Sequence, residues 1–388
     1  MRCSIVLGVG FGDEGKGRTV SYLTSLSESP LVVRFSGGHQ AGHTVMHEGN
    51  KHIFSHFGSG TLQGHPTYWS KFCTVYPVGL INEWNALKNL KVNPLIKIDP
   101  LCPVTTPYDI LFNRYLENKN NHGSCGVGVG TTIERHENYY KLYFMDLFND
   151  KILKIKLSSV FDYYNKIAPS FTETINLLEL QARLDRFHQS VDVIRKNKIG
   201  MDEITSCDHI IFEGSQGILL DQDFGFFPNV TRAKTDMTNV YEIIKDMKLK
   251  KGIPQINKYY VSRLYQTRHG NGYMSDEREL NLHNNEQEIN KFNSSQGHFR
   301  TGYLDLDLLK YSIEISSINQ RPNVSNNLVL TCLDQVEDKE NINVIYEGQI
   351  KKVSVFDIGD IIGVNTPFYS NGPKTFQTFI NNRGHYGK

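Results

Sequence analysis

The sequence has no apolar run near the ~18 residues that a membrane-spanning helix needs, and the longest such stretches are broken by glycine or charge. Neither sign of charge is in excess: 42 Lys and Arg against 41 Asp and Glu leave a formal charge of +1. No global field therefore draws in nucleic acid or an anionic membrane. No C-x-x-C pair occurs. The six cysteines, Cys3, Cys73, Cys102, Cys125, Cys207 and Cys332, are scattered, which suits reduced thiols in a cytosolic enzyme better than disulfides or zinc. The opening MRCSIVLGVG lacks the apolar length of a signal peptide and turns glycine-rich, so it reads as a buried first strand. A cytoplasmic location is expected. No repeat, coiled coil or linker is visible, and residues 1–388 read as one α/β catalytic domain with loop and helical elaborations.

Several short apolar runs end in glycine or polar loops. CSIVLG (3–8), PLVVRFSGG (30–38), HIIFEGSQG (209–217) and NLVLTCLD (327–334) all follow this pattern. They read as buried strands of a large, mostly parallel sheet with flanking helices. Ligands collect at the carboxyl ends of such strands. A helix should run from Lys16 to about Ser25 with Val20 and Leu23 facing in. Leu177, Leu180, Leu184, Phe187, Val191 and Ile194 predict an amphipathic helix over 175–197. Leu304, Leu308, Tyr311 and Ile315 do the same after FRTGYLD. The stretches 118–130 and 284–303 read as long functional loops.

The stretch GVGFGDEGKG (8–17) resembles a phosphate-binding loop, since Gly10 to Lys16 fits G-x-x-x-x-G-K. Gly17 stands where that loop would supply a hydroxyl for Mg²⁺, and Asp13 and Glu14 add carboxylates where phosphates would be repelled. A strand, a glycine loop and a helix N-terminus cradle phosphate oxygens, which accounts for the glycines and Lys16. Asp13 has three readings: a helix cap, a Mg²⁺ ligand, or a base that deprotonates a substrate attacking a γ-phosphate. The second glycine-rich stretch, RFSGGHQAGHT (34–44), carries His39 and His43. A histidine there could stabilise developing negative charge or protonate an oxygen. Zinc is the rival, with no third ligand at suitable spacing.

These two stretches resemble the signature motifs of the adenylosuccinate synthetase family, Q-W-G-D-E-G-K-G-K and G-G-x-N-A-G-H-T. FEGSQGILLDQDFGFFPNVT (212–231), FRTGYLD (299–305), LTCLD (330–334) and SNGP (370–373) resemble four more, in family order. The resemblance implies the family fold, related to that of P-loop NTPases, and a homodimer.

It also implies roles. Asp13 would take the N1 proton of a 6-oxopurine nucleotide and, with the Gly42 carbonyl, hold Mg²⁺. His43 would stabilise O6 as it is phosphorylated, Lys16 would neutralise the transferring phosphoryl group, and Gln216 would orient the base. Gly38, His39, Gln40, Ser124, Cys125 and Thr231 would meet the monophosphate substrate. Gly12, Gly15, Gly17 and Thr44 would hold the triphosphate's phosphates, with Arg300, Cys332, Asp334, Asn371, Gly372 and Pro373 around the rest of it. Ser294, Ser295, Gln296, Gly297 and Arg300 would bind aspartate.

The departures from the family pattern point to altered substrates. Ser21 stands where the family has aspartate in I-V-D-L-L, and Gln40 where it has asparagine. Ser124 and Cys125 replace the phosphate-holding threonines. The arginine supplied across the dimer has no clear match, Arg135 being nearest. The first arginine of the aspartate loop falls on Gly297 or His298. Cys332 replaces the lysine that flanks guanine, although Asp334 is retained. Serine at 21 leaves room for a purine 2-amino group, the missing arginine suits a deoxyribose, and the missing lysine admits ATP or dATP. Together these resemble the phage branch that joins dGMP to aspartate on the way to 2-aminoadenine. The alternatives are a GTP-dependent adenylosuccinate synthetase acting on IMP and, more remotely, a non-catalytic nucleotide sensor. A sensor would need neither the base nor the acid that Asp13 and His43 supply.

Overall fold

The computed structural model describes residues 1–120, 124–204, 206–247, 255–283, 298–318, 323–374 and 378–380. Its strands begin with β1 (Arg2–Gly8), β2 (Pro30–Arg34), β3 (His43–His47), β4 (Asn50–Phe54), β5 (Thr67–Trp69), β6 (Ile96–Ile98) and β7 (His209–Glu213). They continue with β8 (Ile256–Arg263), β9 (Tyr265–His269), β10 (Phe299–Asp305), β11 (Val324–Thr331), β12 (Ile342–Tyr346), β13 (Gln349–Val353), β14 (Asn365–Ser370) and β15 (Thr378–Ile380).

A nine-stranded sheet has the order β15-β14-β11-β8-β1-β7-β2-β5-β6, parallel throughout except for β15 against β14. β1 is hydrogen-bonded to β7 on one side and β8 on the other. Six of its seven residues are buried, as a strand covered on both faces requires. The first strand thus lies mid-sheet, and the loops leaving β1, β2, β7, β8, β11 and β14 emerge along one edge, the edge where open α/β sheets bind ligands. A smaller sheet, β13-β12-β10-β9, and the β3–β4 hairpin border that edge.

Helix α1 (Lys16–Ser25) has the expected span, and Val20 and Leu23 pack on Val6, Val32, Ile211 and Val261 of the sheet. The helix Leu177–Asn197 buries Leu180, Phe187, Val191 and Ile194, while Leu177 at its first turn is exposed. The stripe expected after FRTGYLD is shifted. Leu304 belongs to β10, and Asp305 caps a helix at Leu306–Ser317 by accepting from the N–H groups of Asp307 and Leu308, both at 2.9 Å. Starting there buries Leu306, Leu309 and Ile313, while Leu308 and Tyr311 are half-buried and Ile315 packs half-buried against the core. The expected loop 284–303 is corrected at its end, because Phe299 to Tyr303 pair with β9 as part of strand β10; residues 284–297 lie outside the described ones. In 118–130 the flanks are helical, in Pro107–Asn120 and Val129–Glu137. No helix among the described residues is long and apolar enough to cross a membrane.

Arg135, the nearest match for a cross-dimer arginine, cannot serve as one. It is wholly buried, with Nε at 2.8 Å and Nη2 at 3.1 Å from the equally buried Asp109 carboxylate. The Tyr164 hydroxyl donates to the same carboxylate at 2.6 Å. Burial would raise the Asp109 pKa, but Arg135 and these donors hold it below the usual carboxylate value. Removing one partner of such a pair strands the other charge. Arg135→Met should therefore lose about 3–5 kcal/mol of unfolding free energy in urea titration; a loss under ~1 kcal/mol would deny the pair that structural role.

Candidate active site

A cavity of about 840 Å³ opens along the carboxyl edge of the large sheet. Its floor is the loop between β1 and α1. Here the second carboxylate of the loop finds its place. Glu14 turns under the loop, accepting from the N–H groups of Gly10 (3.0 Å) and Gly12 (2.9 Å) and from Lys16 Nζ (2.5 Å). It is buried and serves the loop rather than facing a phosphate. Gly15 precedes α1 in the left-handed conformation, and no side chain caps the helix. Its first N–H groups are therefore left for a ligand's oxygens. Gly17, in place of a hydroxyl residue, answers to packing. A Cβ there would come within 2.7 Å of His43 Cβ and 2.8 Å of Ser59 Oγ.

Asp13 is exposed to the cavity and has φ of 59°. Arg263 Nε fixes its backbone carbonyl at 2.6 Å, and His269 Nε2 lies 3.1 Å from Oδ2. Burial pushes its carboxyl up, but the His269 hydrogen bond and the charges of Arg263, His269 and Lys16 outweigh this and hold it below the usual value. It is a carboxylate at neutral pH and no cap of α1. Gln216 and Cys332 share the left-handed backbone, with φ of 53° and 62°. Such conformations cost ~1–3 kcal/mol each and cluster at working sites.

His43 opens β3 on the facing wall. Its Nδ1 lies 2.6 Å from Glu213 Oε1, at the end of β7. Glu213 also accepts from Ser59 N at 3.0 Å and from the Ser59 hydroxyl. Arg34 is its register partner on β2, wholly buried and stacked over Trp69 at 5.2 Å. Burial lowers the His43 pKa, Glu213 opposes this, and Arg34 and Lys16 add to it, leaving the ring neutral. Burial would raise Glu213, but His43, Arg34 and Ser59 hold it ionised. The pair is thus a neutral imidazole donating Nδ1–H to a carboxylate, with Nε2 free to take a proton as anionic charge builds in front of it.

Gly12, Lys16, Gly42 and Thr44 wall the same cavity, as do Gln40, Ser124, Cys125, Gln216, Thr231, Cys332, Asp334, Gly372 and Pro373. The side-chain oxygens of Gln40, Gln216 and Asn371 are buried with no hydrogen bond among the described residues, a cost that a ligand donor would remove. Asn371 itself is not among the cavity walls. Ser294, Ser295, Gln296 and Gly297 lie outside the described residues.

Four expectations need correction. Ser21 is fully buried and is not in the wall: Gln63 Nε2 donates to its Oγ at 2.9 Å and its carbonyl at 2.8 Å. One turn on from Gly17, it continues the face of α1 that packs on residues 57–63. His39 and Gly38 form a layer behind the wall. The His39 Nε2–H donates to the Val127 carbonyl at 2.9 Å and its ring stacks on His56; burial and the nearby His56 depress its pKa to about 3. Gly38 abuts Thr74, where a Cβ would lie 2.1 Å from Oγ1. Arg300 turns away to Glu277 (2.7 Å) and the Gly272 carbonyl (2.7 Å), while its β9 register partner Arg268 reaches the cavity. Glu213, His269, Arg263 and Arg268 were not singled out from the sequence. The glutamate in F-E-G was the available signal.

A model of the adenylosuccinate synthetase family matches residues 5–360. The adenylosuccinate synthetase of Blochmanniella pennsylvanica is 32% identical over 332 residues, 81% of this chain and 74% of that protein. That of Neisseria meningitidis is 30% identical over 399 residues, 95% of this chain and 86% of the relative. Among solved structures, fully ligated adenylosuccinate synthetase from Plasmodium falciparum has a TM-score of 0.78 at 19% identity, covering 98% of this chain and 99% of that one. The cyanophage S-2L succinoaminodeoxyadenylate synthetase, bound to dGMP and dATP, has a TM-score of 0.61 at 15% identity, covering 98% and 95%. The fold and cavity belong to carbon–nitrogen ligases of purine biosynthesis. The chain is a member of the adenylosuccinate synthetase family.

Two outcomes follow from this geometry. Glu213→Gln removes the charge that supports a protonated His43 and should lower turnover about 10²-fold with little change in substrate KM; unaltered turnover would detach Glu213 from the chemistry. Ser21→Ala should cost about 0.5–1.5 kcal/mol of stability through its lost hydrogen bond yet leave the ratio of kcat/KM for IMP and dGMP unchanged. A tenfold move in that ratio would return Ser21 to the purine site.

Proposed function

We propose that the protein joins L-aspartate to C6 of IMP, using GTP, by way of a 6-phosphoryl intermediate. The observation that carries this reading is an ionised carboxylate, Asp13, and a carboxylate-backed imidazole, His43, facing one cavity across a phosphate-type loop. Asp13 takes the proton from N1, which makes O6 the nucleophile toward the γ-phosphoryl group; the O6–P bond forms as the bond to the β-phosphate oxygen breaks and GDP leaves. His43, neutral at rest, takes a proton on Nε2 as charge builds on the oxygen and stabilises it while backed by Glu213, and Lys16 moves from Glu14 to the phosphoryl oxygens. The aspartate amine then attacks C6, the C6–O6 bond breaks, and inorganic phosphate leaves with O6. Positioning and fixed charge account for catalysis of this type.

The protein offers Mg²⁺ the Asp13 carboxylate and, lining the same cavity, the Gly42 carbonyl. Two hard oxygen donors without a larger protein cage suit an ion that keeps waters and substrate phosphates as ligands. Among the described residues there is no group of three His, Cys, Asp or Glu that could hold a metal instead. The bound ion would neutralise phosphate charge. Gln40, Gln216, Ser124, Cys125 and Thr231 meet the monophosphate substrate, and the working unit is a homodimer, as the resemblance implies.

IMP is favoured over dGMP because Ser21, on which a 2-amino preference rested, is held by Gln63 behind the wall. A second reading, dGMP with ATP or dATP, keeps one supporting observation: Cys332 on the triphosphate side of the wall carries no positive charge. Mass analysis of products from aspartate, Mg²⁺ and each pairing of IMP, dIMP, GMP or dGMP with ATP, dATP or GTP tests the choice. IMP with GTP should give the largest kcat/KM, and a preference for dGMP would reverse the assignment. In the same assay Asp13→Asn should lose at least about 10²-fold in turnover; near-normal turnover would remove Asp13 as the base.

A further inference from the structure

The first turn of α1 holds a cation that the reaction scheme leaves unused. Gly15 and Arg18 lie three residues apart and Tyr22 four further on, so they share one helix face. That face meets the ends of β11 and β14. A Cβ on Gly15 would touch Thr331 at 3.3 Å, Thr331 Oγ1 donates to the Glu14 carbonyl at 2.7 Å, and the Tyr22 ring packs edge-on against Phe368 at 5.2 Å. The Arg18 side chain is thereby aimed at the turn holding Cys332 and Asp334, and at Gly372 and Pro373, all in the cavity wall. Its Nε and Nη2 donate to the Lys374 carbonyl at 3.0 and 2.8 Å. Nη1 donates to none of the described residues. Only 7% of the residue is exposed; burial lowers its pKa to about 10, and the nearby Cys332 and Asp334 oppose this.

Arg18 and Asp334 together present a donor and an acceptor to whatever occupies this end of the cavity. A carboxylate accepts from neighbouring N–H groups, and a guanidinium donates in a fixed plane. Guanine offers that complement, with N1–H and the 2-amino group as donors beside O6 as acceptor. Adenine offers the reverse, an acceptor at N1 beside an amino donor. We propose that Arg18 is a specificity-determining residue for the triphosphate: its Nη1 meets O6 of a guanine base whose N1–H and 2-amino group are held by Asp334. The inference rests on the GTP-driven ligase reading. Arg18 then supplies from α1 the positive charge that Cys332 does not.

Calorimetric titration with GDP and ADP tests this apart from catalysis. The wild-type protein should bind GDP more tightly than ADP. Arg18→Ala should weaken GDP about tenfold or more, the scale of a lost charge-assisted hydrogen bond, and leave ADP nearly unchanged, so that the ratio within one variant controls for folding. Arg18→Lys should recover part of the preference, and Arg18→Ala with Cys332→Lys should recover it by supplying a cation from the opposite side. In steady-state assays Arg18→Ala should raise KM for GTP and leave KM for IMP and aspartate unchanged. Equal losses for GDP and ADP, or a wild-type preference for ADP, would overturn the proposal. Absence of ligase product with the GDP preference intact would overturn the ligase reading alone.

Discussion

The Glu213 carboxylate, closed inside the large sheet, is the constraint around which the site is arranged. A buried carboxylate is tolerated only when donors and positive charge surround it. The His43 ring, the Ser59 N–H and hydroxyl, and the field of Arg34 do this from three separate segments. Meeting that requirement brings the β3–β4 hairpin down on α1, which is why Gly17 has no room for a side chain. It also holds the His43 ring with Nδ1 inward. The bonds that stabilise Glu213 are the same ones that the proposed reaction uses to back His43.

The loop after β1 solves a related problem. Its amides would face an empty cradle, and Glu14 occupies them from below while pairing with Lys16. The Gly10 and Gly12 amides are thus satisfied by Glu14 with no ligand present. Asp13 is the one loop carboxylate turned outward, fixed at its backbone by Arg263 and at its side chain by His269.

Much of this was legible in the sequence because it depends on local order. The strand-glycine-helix succession fixed where α1 begins, and the glycine-rich turns after β1, β2 and β7 bring Asp13, His43 and Gln216 to one sheet edge. What was not legible depends on which face of an element meets which neighbour. Ser21 shares the cavity helix, yet the face it occupies is claimed by Gln63. Arg135 follows the right loop, yet Asp109, from the preceding helix, takes it into the interior. Arg300 and Arg268 sit opposite each other on β10 and β9, and only the register between these strands decides which one reaches the cavity. Arg18 carried no assignment in the sequence, and only the packing of α1 on β11 and β14 aims its guanidinium at Asp334's turn.

The proposed reaction turns on phosphorylation of the purine oxygen before aspartate attacks, the step assigned in it to Asp13, His43 and Lys16. Isotope transfer tests it directly. IMP labelled with ¹⁸O at C6 is converted with aspartate and GTP, and the released inorganic phosphate is analysed by mass. The account predicts that the phosphate carries the label from O6. Unlabelled phosphate, with the ¹⁸O lost to water, would contradict it.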